Sequence, residues 1–67
     1  MINIEELKAE ISKKGCTIDD IAKEIGIDRA TFYRRIKNDS LRISDIQKIC
    51  NKLNIAGERA IQIFLIN

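Results

Sequence analysis

Residues 17–37 read TIDDIAKEIGIDRATFYRRIK, and this stretch decides the fold. Thr17 is a good helix N-cap, and acidic residues follow it in the first turn, so a helix is predicted over about 18–25. Gly26 can take the positive φ angle that ends this helix, and Asp28 can cap a second helix over about 29–37. Two short helices joined by about three residues must pack against each other at a steep angle.

The apolar residues of this stretch predict how the two helices pack. Ala22 is small enough for a close crossing, and Gly26 provides the turn. Ile27, Phe32 and Ile36 then close the core from the other side, and Phe32 and Ile36 have the spacing of one helical face. We therefore assign the packing between the two helices to these five residues.

The opposite face of the second helix is predicted to stay free. Its positions follow i, i+1, i+4, i+5 and i+8, which is one stripe on a helix: Arg29, Ala30, Tyr33, Arg34 and Lys37. A steeply packed helix pair that exposes such a stripe is the arrangement of a helix-turn-helix. In that motif the second helix enters the major groove of DNA.

The charge of the chain is divided along its length. Twelve Lys and Arg against ten Asp and Glu give a formal net charge of +2. Residues 1–28 carry a net charge of −3, however, and residues 29–67 carry +5. Within 29–42 a single acid, Asp39, accompanies five basic residues: Arg29, Arg34, Arg35, Lys37 and Arg42. A local positive field on a nearly neutral domain indicates a polyanionic partner.

The rest of the chain also has helical spacing. Isoleucine favours strands by propensity, but apolar residues recur at +3 and +4 along the chain, which predicts helices. We predict an all-α fold and one domain, 1–67, with five short helices over about 4–14, 18–25, 29–37, 43–53 and 58–65. The start of the fourth helix is open. Ser44 with Gln47 fits a capping box, whereas a start one or two residues earlier puts Ile43 in the first turn.

The C-terminal segment 60–66 fits two periods. Helical spacing and strand alternation both describe its apolar residues, and we favour a helix whose last two or three residues are extended. Its apolar surface is more than so small a core easily covers, so we predict a dimer interface that includes Ile61, Phe64 and Leu65. The alternative is that this segment packs entirely inside the monomer.

The sequence resembles the Cro/lambda-repressor (XRE-type) family of helix-turn-helix DNA-binding proteins. The resemblance is carried by Thr17, Ala22, Gly26, Ile27 and the run RATFYRRI. Residues 41–55 also look like the fourth helix of that family, and residues 60–64 look like the short fifth helix of small phage and prophage repressors. The similarity spans roughly residues 4–65.

The resemblance implies roles for individual residues. Arg29, Ala30 and Arg34 would read bases, with Tyr33 beside them, since arginine can bond O6 and N7 of guanine together. Thr17, at the start of the second helix, would lie at a DNA phosphate. Further phosphate contacts, which add salt-dependent affinity without reading sequence, would be Arg35, Lys37 and Arg42.

Two departures from the family concern acids near the expected phosphate path. The family often has Gln at the start of the second helix and Ser or Thr at the cap of the third. This chain has Asp19, Asp20 and Asp28 in these regions. Acids cap helices well but repel phosphates, so we expect modest non-specific affinity. Ala56 is also a poor cap for the fifth helix.

The predicted function is that of a sequence-specific regulator that binds double-stranded DNA. We expect a phage or prophage repressor that blocks polymerase at an operator as a homodimer, since two copies on a two-fold site multiply the affinity. The alternative is a protein-interaction module of the same fold, such as an antirepressor-like modulator. Salt dependence of binding separates the two, because phosphate contacts release counterions.

Other classes of function have little support. Without histidine, a phosphate-binding glycine loop or paired carboxylates, the chain is not expected to be an enzyme or to bind a metal, cofactor or small-molecule substrate. No apolar run approaches the ~20 residues of a membrane helix. Cys16 and Cys50 are interpreted as small buried hydrophobes, kept reduced in the cytoplasm. Ordinary surface charges are predicted at Lys13, Lys14, Lys48, Lys52 and Arg59.

Overall fold

Five helices follow one another in a computed structural model of the chain, which describes residues 2–65. They are α1 (Ile4–Lys13), α2 (Ile18–Ile25), α3 (Arg29–Lys37), α4 (Ile43–Leu53) and α5 (Gly57–Phe64). The described residues contain no strand, so the predicted all-α fold with five helices is confirmed. The bounds of α2, α3 and α4 equal those predicted, whereas α1 ends one residue earlier and α5 lies one residue earlier at both ends.

The core lies between all five helices, and each contributes apolar side chains to it. Its buried residues are Leu7, Ile11, Ile21, Ala22, Phe32, Ile36, Ile49, Leu53, Ile63 and Phe64. The helix α2 packs against both α3 and α4, while α1 packs against α5. A radius of gyration of 10.6 Å is close to the ~11 Å expected for a compact chain of this length.

The start of α4 is the earlier of the two possibilities that the sequence left open. Arg42 is the N-cap, and Ile43 lies in the first turn with 76% of its surface exposed. The cap is formed by Asp45, whose Oδ2 accepts the backbone N–H of Arg42 at 3.2 Å. The capping box of Ser44 with Gln47 is therefore not the one that forms.

The helices α1 and α5 are joined along their length. The backbone N–H of Asn3 donates to the carbonyl of Ile63 at 2.7 Å. The Arg59 guanidinium contacts Oε1 of Glu6 at 2.9 Å and Oε1 of Glu10 at 3.5 Å. The hydrogen bond to Glu6 raises the pKa of Arg59, and Glu10 is buried. The prediction that Arg59 is an ordinary surface charge is wrong, because its side chain connects two helices.

The prediction of extended residues at the end of the chain concerns mainly residues 66 and 67, which lie outside the described residues.

Within residues 2–65, no helix has the length and apolar character needed to cross a membrane.

Candidate nucleic-acid interface

The N-terminus of α2 is held by a reciprocal cap. Oγ1 of Thr17 accepts the backbone N–H of Asp20 at 3.1 Å, and Oδ2 of Asp20 accepts that of Thr17 at 2.9 Å. These bonds to the backbone and side chain of Thr17 lower the pKa of Asp20. The Asp20 carboxylate is thus occupied by its own helix end, and Thr17, predicted to contact a phosphate, is exposed as the N-cap of α2.

The turn between α2 and α3 depends on Gly26. This residue has φ 85°, in the left-handed region that favours glycine. The next residue, Ile27, donates its backbone N–H back to the carbonyl of Ala22 at 3.0 Å, which closes the turn. Asp28 then caps α3, since its Oδ1 accepts the backbone N–H of Thr31 at 2.7 Å. Hydrogen bonding from the side chain and backbone of Thr31 lowers the pKa of Asp28.

The two faces of α3 differ as expected for a helix anchored on one side. Phe32 is fully buried and Ile36 is 6% exposed, so they fix the helix on the core. Ala22 is buried beneath the turn, and Ile27 is half-buried beside it. On the other face the exposed residues are Arg29, Ala30, Arg34 and Lys37. The structure therefore brings four residues of the predicted stripe to one accessible helix surface.

The two arginines predicted to read bases make weak contacts at the surface. An Nη atom of Arg34 lies 3.5 Å from Oγ1 of Thr31, one turn earlier on α3. Nε of Arg29 lies 3.6 Å from Oδ1 of Asp19, on α2. Both guanidinium groups keep donors for a partner, since each has five N–H groups and these contacts use few of them.

Tyr33 is half-buried and lies at the edge of the stripe, against α1. Its ring meets that of Phe32 edge to face, with centroids 6.2 Å apart. Nζ of Lys8 lies 5.8 Å from the centre of the Tyr33 ring. Lys8 and Tyr33 border an apolar groove of about 500 Å³, which is lined by Ile2, Ile4, Lys8, Tyr33, Ile36 and Lys37.

The three cations predicted to contact phosphates have different surroundings. Lys37 and Arg42 are exposed, at the end of α3 and at the cap of α4. The side chain of Arg35 is only 31% exposed, and its Nη1 lies 3.8 Å from Oδ2 of Asp45. Asp45 is itself buried, so this pair connects α3 to the start of α4.

Sequence reasoning missed Asp45. It stands three residues after the N-cap Arg42, which is the capping-box spacing, and that spacing was the available signal. Its second contact, with Arg35, joins two helices and has no local signature. Asp45 thus contacts both Arg35 on α3 and the N-cap of α4.

The predicted dimer residues fall into two groups. Ile61 is 57% exposed and Leu65 is 66% exposed, one helical turn apart. Phe64 is 5% exposed and belongs to the core, so in the monomer it is not available at a surface. Among the described residues, the accessible large apolar side chains near the C-terminus are therefore Ile61 and Leu65.

The cysteines carry no metal-binding pattern. Both are free thiols, and both are half-buried rather than fully buried. Burial raises the pKa of the Cys50 thiol, which lowers the fraction of reactive thiolate. Across the part of the chain that the structure describes, no group of three or more Cys, Asp or Glu residues could hold a metal ion.

Comparison with known proteins identifies a family. The model of a family described as the Cro/C1-type HTH DNA-binding domain matches residues 6–56. This range contains α2, α3 and α4 and leaves out α5, which begins at Gly57. No curated protein and no solved structure matches the chain.

Proposed function

The chain belongs to the family of Cro/C1-type helix-turn-helix DNA-binding domains, and from this premise we propose that it is a sequence-specific repressor of phage or prophage type. It would act as a homodimer that occupies a two-fold operator in double-stranded DNA and blocks polymerase there. The observation that carries the proposal is the exposed stripe of α3, which stands on a helix anchored by Phe32 and Ile36.

The base-reading residues in this proposal are Arg29, Ala30, Tyr33 and Arg34. The arginines suit guanine, because the guanidinium fork matches the two acceptors O6 and N7 in the major groove. Ala30 has no bulk and lets the helix approach the bases closely. Half-buried Tyr33 would lie beside them, with its ring supported by Phe32 and Lys8.

The phosphate contacts in this proposal are Lys37 and Arg42, together with the N-terminus of α2 at Thr17. Backbone N–H groups at a helix start point towards an anion, and the helix dipole adds to this attraction. Arg35 is the weakest member of the predicted set, because its charge is paired with buried Asp45.

Dimerisation is proposed through the exposed face of α5. Ile61 and Leu65 are large apolar side chains that the described part of the core leaves uncovered. A second copy related by a two-fold axis would bring the same face to itself. Two recognition helices then read two half-sites about 34–36 Å apart, or a multiple of this.

The test is selection of bound sequences from a random duplex library at two salt concentrations, with the wild type and two variants. We expect a two-fold motif, and we expect Arg29→Ala and Arg34→Ala each to relax it and to lower operator affinity by about 1–3 kcal/mol. The matched control is Lys48→Ala, which removes an exposed cation from α4. A motif unchanged by both arginine variants would refute the assignment of α3 as the recognition helix.

A second function, as a protein-interaction module, is favoured by the apolar groove beside Tyr33. A protein partner bound there would cover the edge of the recognition stripe. This candidate predicts that the selection enriches no duplex sequence. It also predicts that partner binding lacks the steep salt dependence of a phosphate interface, which between 50 and 200 mM amounts to about a thousandfold for six contacts.

A further inference from the structure

A carboxylate of α2 contacts the first residue of the recognition helix. Nε of Arg29 lies 3.6 Å from Oδ1 of Asp19, and their side chains are 61% and 69% exposed. Both residues line a shallow groove, together with Ala22 and Gly26. The pair thus lies on the surface that the proposed function presents to DNA.

Asp19 differs from the two other acids of this region. Asp20 and Asp28 each accept a backbone N–H and close a helix cap. Asp19 makes no such bond within residues 2–65, and its interaction there is the ion pair with Arg29. Its charge therefore acts on a proposed base-reading side chain, in addition to the favourable but unspecific interaction of any acid with a helix start.

We propose that Asp19 is a positioning residue that sets the specificity of Arg29, an inference that rests on the proposed function. The carboxylate lies beside the Nε edge of the guanidinium, and the donors that it does not contact stay available to the bases. Arg29 then meets the bases as a partly neutralised, oriented fork instead of a free cation.

Asp19 has unequal effects on operator binding and on sequence-independent binding. A phosphate carries a full negative charge, so it competes with the carboxylate for Arg29 and is repelled by it. The O6 and N7 atoms of guanine are neutral acceptors, and they bind the remaining donors without displacing Asp19. Asp19 therefore weakens sequence-independent binding more than operator binding. The exposure of the pair limits the effect to about 1.5- to 5-fold in the ratio of the two affinities.

The experiment compares Asp19→Asn with a control on the same helix. Glu24→Gln removes the same charge from α2, and Glu24 has an ion pair of similar length, 3.7 Å to Nζ of Lys52. The affinities of each variant for the selected operator and for a scrambled duplex are measured by fluorescence anisotropy at 100 mM KCl. The same measurements are repeated in an Arg29→Ala background, which completes a double-mutant cycle.

We expect Asp19→Asn to tighten binding to the scrambled duplex and to lower the operator preference by about 1.5- to 5-fold, while Glu24→Gln leaves the preference unchanged. In the Arg29→Ala background the effect of Asp19→Asn on preference should disappear. Equal effects of the two charge removals, or an effect that persists without Arg29, overturn the inference while the proposed function stands.

A measurement without DNA tests the ion pair of Asp19 with Arg29 independently of DNA binding. In the free protein, Asp19→Asn should shift the NMR signal of the Arg29 Nε–H group and speed its exchange with water, whereas Glu24→Gln should not. An unchanged Arg29 signal shows that the pair does not form in solution and overturns the inference. A wild type that binds no duplex overturns the proposed function, and the role of Asp19 in specificity falls with it.

Discussion

Replacing Arg35 by glutamine tests whether this residue contacts DNA or stabilises the fold. Arg35 was predicted to contact phosphate, together with Lys37 and Arg42. Its side chain is mostly buried and is paired with Asp45, whereas Lys37 and Arg42 are exposed. We expect Arg35→Gln to destabilise the domain and to leave the salt dependence of DNA binding nearly unchanged, and Arg42→Gln to do the reverse.

The expected salt dependence follows from the number of neutralised phosphates. With three cations in each copy of a dimer, the slope of log K against log salt would be about −5.4, since each phosphate contributes about −0.9. Without Arg35 the slope is about −3.6, which corresponds to a loss of roughly 150-fold between 50 and 200 mM salt. Arg42→Gln should reduce that slope by about 1.8, and Arg35→Gln should change it little.

The expected destabilisation follows from the burial of Asp45. This residue is 6% exposed, and without Arg35 its carboxylate keeps, among residues 2–65, only the backbone N–H of Arg42 as a partner. An under-satisfied buried acceptor costs about 1–3 kcal/mol, and the 3.8 Å separation favours the lower part of that range. At about 2.1 cal/mol/K per residue, a loss of 1–2 kcal/mol lowers the melting temperature of 67 residues by roughly 7–14 °C.

Two assays on the same samples decide between the roles. Thermal unfolding followed by circular dichroism gives the stability, and anisotropy titrations from 50 to 200 mM KCl give the slope. Lys37→Gln is the matched control for stability, because it removes an exposed cation from the same helix. As a proposed phosphate contact, Lys37 should affect the slope and not the melting temperature. The structural role of Arg35 is refuted if Arg35→Gln melts like the wild type and reduces the slope as much as Arg42→Gln does.

Three further predictions concern the turn, the cap and the C-terminal helix. Gly26→Ala should lower the free energy of unfolding by about 1–2 kcal/mol. The cause is backbone strain in the left-handed region alone, because an added Cβ meets no atom within 4 Å. An unchanged melting temperature would contradict this. The lowered pKa of Asp28 means that its cap contributes stability above about pH 4 and loses it as the pH falls through that lowered value. Melting of Asp28→Asn, which keeps the cap without titrating, should therefore decline less between pH 5 and pH 3, and equal declines would count against it. Leu65→Asp should abolish the dimer in sedimentation without loss of helix content, whereas Phe64→Ala should destabilise the fold by about 3–5 kcal/mol; a Leu65→Asp dimer would exclude this face.

Local signals in the sequence were enough to predict most helix ends. Thr17, Gly26 and Asp28 determine their own turns through bonds to residues a few positions away, so α2 and α3 could be placed from the sequence. The cap of α4 was left open, because Ser44 with Gln47 fitted one start and Ile43 in the first turn fitted an earlier one. The residue that forms the cap, Asp45, also contacts Arg35 on another helix, and that contact has no local signature in the sequence.

Contacts between distant helices account for what the sequence left unpredicted. Arg59 has the local pattern of a surface cation, and its role appears only when α1 brings Glu6 and Glu10 beside it. The apolar segment near the C-terminus indicated that some of its residues would be exposed. It could not identify them, because helical spacing and strand alternation both fitted the segment. The docking of α5 on α1 buries Phe64 and leaves Leu65 outside.

The hydrogen bond from Asn3 to Ile63 has a consequence for the order of folding. It closes a loop of about 60 residues, whereas the bond from Ile27 to Ala22 closes one of about five, and the difference in closure entropy is about 2 kcal/mol. The helix-turn-helix can therefore form early from local contacts, and the seam between α1 and α5 joins last. In the native protein the same seam should open first, so the amide of Asn3 should exchange with solvent faster than that of Ile27.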